Sequence, residues 1–138
     1  MTAVPNPYAG IDLTITTEVS NAIRQFTGAG KPFPRQVDAW WLGLCLGVRK
    51  GEKRPRVDGE QRTKFHEGVI FSSDSWRLVH LELIAMADEG ERILLDPSKV
   101  IALASGYADF GLEWIVEHCI GTSDPVLALL NSLDLNTV

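Results

Sequence analysis

The sequence predicts a mostly α-helical domain of about five helices, with one short strand ahead of them, on three observations. Apolar residues recur at i, i+3, i+4 and i+7 along successive stretches. Two Asp-Pro pairs, Asp96-Pro97 and Asp124-Pro125, carry the start signal in which proline takes the first helical position. Glycines stand where the periodic runs stop. Helices joined by connections this short pack as a compact bundle. With 138 residues the chain fits one domain, expected over 11–138 behind a flexible arm over 1–10.

The arm is expected because residues 1–10 hold two prolines and a glycine without periodicity. Ile11, Leu13 and Ile15 then alternate with Asp12, Thr14 and Thr16, the period of a half-buried strand. Thr17 is placed to cap a first helix, with Glu18 in its first turn and Val19, Ala22, Ile23 and Phe26 along one stripe. Gly28 can end that helix in a left-handed conformation, and residues 28–34 turn.

A second helix is expected over about residues 34–50. Val37, Trp40, Trp41, Leu44, Cys45 and Val48 form one stripe, and Leu42 and Leu46 make the opposite side apolar. A helix apolar nearly all round is expected at the centre of the fold. Gly43 and Gly47, spaced i, i+4, leave a flat strip for another backbone, and Gly51 stops the helix. Residues 52–64 read as a charged loop containing Pro55 and the Asp58-Gly59 turn signal, and residues 69–71 as a short extended apolar run.

Ser73 or Asp74 can cap a third helix over about 75–89, with Leu78, Val79, Leu81, Leu83, Ile84 and Met86 apolar and Gly90 at its end. The fourth starts at Asp96-Pro97 and runs through Val100, Leu103, Ala104, Tyr107, Gly111, Trp114 and Ile115 toward Gly121. The fifth starts at Asp124-Pro125 and carries Val126, Leu129, Leu130 and Leu133.

Charge is unevenly spread along this chain of net charge −5. Residues 31–64 hold nine Lys or Arg against four acids, a local +5, while the remainder holds four against fourteen, or −10. Such a dipolar chain can present one positive patch to phosphates or to an acidic partner while repelling both elsewhere. The candidate nucleic-acid or partner contacts are therefore Arg49, Lys50, Lys53, Arg54, Arg56, Arg62 and Lys64; the alternative is a solvated loop that keeps the domain soluble. Of the tryptophans, Trp40, Trp76 and Trp114 are expected in the core. One of the adjacent pair Trp40 and Trp41 is expected to face a neighbour, so Trp41, Gly43 and Gly47 are the candidate interface residues.

Catalytic chemistry has little to draw on. Cys45 and Cys119 lie on apolar helical patterns and read as buried thiols, and a Cys45–His80 meeting is the one nucleophilic combination left open. His118 and Cys119 are sequence neighbours and diverge on a helix, and Asp88, Glu89 and Glu91 read as a solvated helix end. No cofactor or metal is expected. The longest apolar stretch, residues 39–48, is about half of what a bilayer span needs, and no secretory signal is read at the start, so the expected location is the cytoplasm.

Four segments in order carry a family resemblance: FPRQVDAWWLGLCLGVRKGEKRP at 33–55, GVIF at 68–71, LIAMADEGERIL at 83–94 and SGYADFGLEWI at 105–115. Together they resemble the small DNA phosphorothioation-associated proteins called Dnd system-associated protein 4. Met86 and Asp88 stand where that family tends to have Leu and Glu, and Asp109-Phe110 replaces its Asn-Gly. The resemblance implies a bacterial antiphage setting, in which sulfur is placed in the DNA backbone or DNA without that mark is restricted. It implies the role of an accessory subunit with other proteins of that complex as partners; the basic loop adds double-stranded DNA, and the Trp40/Trp41 pair a further copy of the chain, as expected partners. Two other readings stand beside this non-enzymatic one. The order strand, helix, helix over 11–50 resembles a ribbon-helix-helix regulator, although Asp12, Thr14 and Thr16 offer no base-reading cation. The third is a small enzyme, a nuclease or a thiol-dependent transferase, built around His66, His80 or Cys45.

Overall fold

In the computed structural model, which describes residues 5–119, strand β1 (Asp12–Thr16) runs antiparallel to strand β2 (Arg62–Glu67). Leu13 faces His66 and Ile15 faces Thr63, with an irregular register between Leu13 and Thr14. The side chains of Leu13 and Ile15 are buried, as their alternation predicts. β2 corrects the sequence reading, which places Arg62 and Lys64 in the charged loop. The segment RTKFHE is charged on both faces, and only its pairing with β1 makes it a strand.

Helix α1 (Thr17–Ile23) is capped by Thr16, whose Oγ1 accepts from the Val19 N–H at 3.3 Å, one residue earlier than expected. A 3-10 turn, Arg24–Phe26, carries the chain into a tight bend in which the Gly28 N–H donates to the Phe33 carbonyl at 2.8 Å. Helix α2 (Gln36–Lys50) starts where Asp38 accepts from the Arg35 N–H at 3.0 Å. It stops at Gly51, which adopts the left-handed φ of +67°. Helix α3 (Ser75–Glu89) and helix α4 (Pro97–Cys119) occupy the predicted places, with a 3-10 turn, Glu91–Leu95, between them. The described residues thus hold four α-helices and a two-stranded sheet, a mostly helical fold. The expected fifth helix at Asp124-Pro125 lies outside the described residues, as does the side chain of Cys119.

The hub of the fold is α4 rather than α2, since it packs on α2, α3, α1 and β1. Its crossing with α2 is backbone against backbone. A Cβ on Gly43 would stand 2.8 Å from Leu112 Cγ, one on Gly47 would strike the Tyr107 carbonyl, and one on Gly111 would strike the Gly43 carbonyl. The flat strip at Gly43 and Gly47 is therefore filled by α4 of the same chain and is not open to a second one. This tight crossing also turns α2 so that Trp40, Leu44 and Leu46 are buried while Cys45 and Val48 face outward. The expectation of a buried Cys45 thiol is overturned on that ground.

Residues 5–10 are not a loose arm. Tyr8 is 1% exposed and donates its hydroxyl to Glu82 Oε2 at 3.1 Å, while Asn6 Nδ2 donates to the Gly68 carbonyl at 3.0 Å and to Ser72 Oγ at 2.8 Å. Gly68 permits this docking, because a Cβ there would meet the Tyr8 carbonyl. Residues 69–71, expected to be extended, lie in a 3-10 turn, Gly68–Ser72, that drives Phe71 into the core and leaves Val69 outside.

Candidate anion-binding groove

The basic loop is built by its backbone before its charges matter. After Gly51, the Glu52 N–H donates back to the Gly47 carbonyl at 3.0 Å, and the Arg54 N–H crosses to α4 to donate to the Gly106 carbonyl at 2.9 Å. The loop packs on α4 at ordinary contact distance here, since a Cβ on Gly106 would stand 3.4 Å from Lys53 Cβ. The Asp58-Gly59 turn forms as predicted, with Gly59 at φ +80° and the Glu60 N–H donating to the Val57 carbonyl at 3.2 Å.

Most of the loop's cations are spent within the chain. Lys53 Nζ lies 2.5 Å from Asp88 Oδ2 and over the ring of Tyr107, whose hydroxyl donates to the other Asp88 oxygen at 2.9 Å. Asp88 is therefore a tether between α3, α4 and the loop, not only a solvated helix end. Arg54 pairs with Glu60 at 2.8 Å and with Glu113 of α4 at 2.6 Å. Arg62 reaches Glu60 at 2.9 Å and Asp109 at 3.1 Å, and also donates to Thr14 Oγ1 and the Thr14 carbonyl. Lys64 sits between Asp12 and Glu67 at 3.1 and 2.7 Å. Lys50 lies over the half-buried ring of Trp114, 4.9 Å from its centre. Arg49 is exposed at the end of α2, and Arg56 is exposed on the loop.

The charges leave their mark on the acids. The hydrogen bond from Arg54, with help from Arg62, holds the Glu60 carboxyl down to about 2. Asp109 is 3% exposed, and burial raises its pKa despite the opposing fields of Arg62, Arg54 and Arg56. Its Oδ1 accepts from Arg62 at 3.2 Å, whereas Oδ2, although 3.1 Å from the same guanidinium, lacks hydrogen-bond geometry. The pair is thus close but imperfectly satisfied.

Two concave surfaces flank the loop with opposite charge. On one side a cavity of about 680 Å³ is lined by Glu18, Glu60, Glu113 and Glu117 around Arg54. On the other a hollow of about 590 Å³ is lined by Lys53, Arg92 and Lys99 together with Glu89 and Asp96, with Ile93 among its apolar lining. A second hollow of about 400 Å³, walled by Lys53, Arg54 and Arg56, shares Lys53 and Ala102 with it, so the two adjoin. Sequence reasoning selected Lys53, Arg54 and Arg56 but missed Arg92 and Lys99. Neither belongs to a charge run, and only the packing of the 91–95 turn and the first turn of α4 brings them to Lys53. Arg62 and Lys64 lie on β2 and do not line this groove.

A different surface forms where α2 meets α3. The Arg77 guanidinium, 6% exposed, lies 5.2 Å from the Trp41 ring centre and 5.0 Å from that of Trp76, and donates to Asp38 at 3.1 Å. Trp41 is half-buried. Trp76 is 49% exposed and not a core residue, because the buried side of α3 is taken by Leu78, Leu81 and Ala85. With Val79, Leu83 and Met86 it forms an exposed apolar stripe. His80 packs edge-on against Trp76; Cys45 is exposed, but partial desolvation by the atoms around its thiol raises the pKa, opposed by the Arg77 charge. Among the described residues no His, Cys, Asp or Glu cluster is placed to hold a metal ion, and no helix is long and apolar enough to cross a membrane. Comparison of the chain with protein-family models, with curated proteins and with solved structures gives no match.

Proposed function

We propose that the protein is a non-enzymatic accessory subunit of a bacterial DNA phosphorothioation-type modification or restriction system, acting in the cytoplasm by binding. The sequence resemblance supplies the setting. The geometric support is the loop itself: its backbone is fixed across α4 by the Arg54–Gly106 hydrogen bond, so it holds Arg56 and its neighbours in a defined place beside a groove. A preformed loop loses less entropy on binding than a free one. Phosphates of double-stranded DNA, or the acidic surface of a partner protein, fit this arrangement. The exposed stripe of Trp76, Val79, Leu83 and Met86 supports the protein-partner half of the reading, since exposed apolar side chains grouped on one helix face commonly mark contact surfaces.

The regulator reading fares less well. Its strand would have to pair with a second subunit and present its outward residues to DNA, yet one edge of β1 is taken by β2 of its own chain, and Thr14 is engaged by Arg62.

Titration of labelled duplex DNA at several salt concentrations tests the DNA half. Binding is expected to weaken with salt by about 0.9 in log K per log salt for each phosphate contacted, and Arg56→Glu is expected to weaken it further. Binding that ignores both salt and Arg56→Glu would remove the loop from the contact. No binding by the folded wild type would remove direct DNA recognition and leave the protein-partner half, which co-purification with a Trp76→Glu, Leu83→Glu control tests.

A further inference from the structure

We infer that the groove walled by Lys53, Arg92 and Lys99 is a phosphate-binding site, and that Arg92 and Lys99 contribute as much to it as the loop does. This rests on the reading of the loop as a phosphate-contacting element and extends it to two residues far from the basic run.

Three elements converge there: Lys53 comes from the loop, Arg92 from the 91–95 turn and Lys99 from the first turn of α4. Lys53 is neutralised by Asp88, but Arg92 and Lys99 make no ion pair among the described residues, and neither does Arg56 in the adjoining hollow. Glu89 and Asp96 line the same hollow and oppose these cations: Asp96 keeps its charge while its Oδ1 accepts from the Lys99 backbone N–H at 3.3 Å to cap α4, and Glu89 makes no ion pair among the described residues, so the excess of positive charge comes from Arg56 in the adjoining hollow. Between the cations lie Ile93, Ala102 and Leu103, apolar walls that concentrate the field of the charges around them. An anion of several oxygens, able to bridge a lysine and an arginine at once, matches this arrangement better than a carboxylate, which offers only two.

The phosphate can come from a nucleic-acid backbone or from a free phosphate compound, and two probes separate the sources. Wild type, Arg92→Glu, Lys99→Glu and Arg56→Glu are titrated with a duplex oligonucleotide and with inorganic pyrophosphate, followed by calorimetry. Lys31→Glu, an exposed reversal on the 28–34 turn outside the groove, is the control. Circular dichroism confirms that each variant is folded. For the oligonucleotide, Arg92→Glu and Lys99→Glu are each expected to weaken binding several-fold and to lower the log K against log salt slope by about 0.9, with Lys31→Glu near wild type. Glu89→Gln is expected to tighten it. If Arg56→Glu weakens oligonucleotide binding while Arg92→Glu and Lys99→Glu match the control, the groove is not the site and the loop reading stands. Should the oligonucleotide fail to bind while pyrophosphate binds and is lost in Lys99→Glu, the site stands and its ligand is a free phosphate compound; the DNA reading then falls. Binding of neither probe by the folded wild type overturns the site.

Discussion

Arg62 of β2 and Asp109 of α4 meet inside the protein, with the guanidinium 3.1 Å from a carboxylate that is almost wholly withdrawn from solvent. The pair ties the sheet to the hub helix; Arg62 has Glu60 as a second partner, whereas removal of Arg62 leaves the buried Asp109 carboxylate without its hydrogen-bonded cation. Arg62→Ala is therefore expected to cost about 3–5 kcal/mol of stability. The double variant with Asp109→Ala should lose clearly less than the sum of the two single losses. Urea unfolding of the four proteins measures the coupling, and strict additivity would show that the pair contributes nothing.

Acid should loosen the same network from the loop side. Glu60 is held at about 2 against an ordinary 4.5 by Arg54 and Arg62. Its ionised form is therefore favoured by folding, and its contribution is full above the unfolded value and lost as pH falls from 4.5 toward 2. Asp109 works in the opposite sense. Burial raises its pKa, so over the interval above 3.8 the folded state holds the proton more tightly, and rising pH removes stability there. Glu60→Gln should cost on the order of 1.5–3 kcal/mol at pH 7, the range for hydrogen bonds to charged groups. That difference from wild type should shrink to near zero by pH 2. Unfolding curves over a pH series check it, and a pH-independent difference would mean that Glu60 acts through packing.

How much of this was legible from residues alone depended on whether the signal was local. Helices α3 and α4 could be read because Gly90 and Asp96-Pro97 punctuate them in the sequence itself. β2 could not, because Arg62, Lys64 and His66 carry no apolar alternation of their own and become a strand only against β1. Tyr8 was lost for a similar reason: a single aromatic among prolines has no period, and its burial depends on Gly68, sixty residues away in the chain. The candidate site divides the same way. Lys53, Arg54 and Arg56 form a visible run, whereas Arg92 and Lys99 join them only through the packing of α3 on α4. Nor does a charge run disclose that Arg54 is already committed to Glu60 and Glu113.

The glycines of the α2–α4 crossing give a test in which the sign itself is informative. In a free helix Gly→Ala would stabilise by up to about 1 kcal/mol. At Gly47 the new methyl would meet the Tyr107 backbone, which cannot rotate away as a side chain would, so the helices must separate. Gly47→Ala is expected to destabilise by about 1–3 kcal/mol or more. Thermal unfolding decides it, and a stabilised variant would mean that the two helices do not approach this closely.

Two arginines two residues apart should behave oppositely, and that contrast separates cations that hold the fold from cations free to bind. Arg54→Glu would place a third carboxylate between Glu60 and Glu113, where burial already raises the Glu113 pKa. It removes two ion pairs and adds like-charge repulsion beside the α4 surface; with Glu113 42% exposed and the pairs partly screened, the cost should be on the order of 1–3 kcal/mol. Arg56 is exposed and makes no ion pair among the described residues, so Arg56→Glu should change stability by no more than about 0.5 kcal/mol. Parallel denaturation of the two variants reads this directly. A charge-reversal experiment that pools Lys53, Arg54 and Arg56 would confound unfolding with lost binding, which is why Arg56, Arg92 and Lys99 are the positions at which a loss of phosphate affinity can be assigned to contact. Equal destabilisation by Arg54→Glu and Arg56→Glu would show that the loop is held by its overall charge and not by the pairs of Arg54.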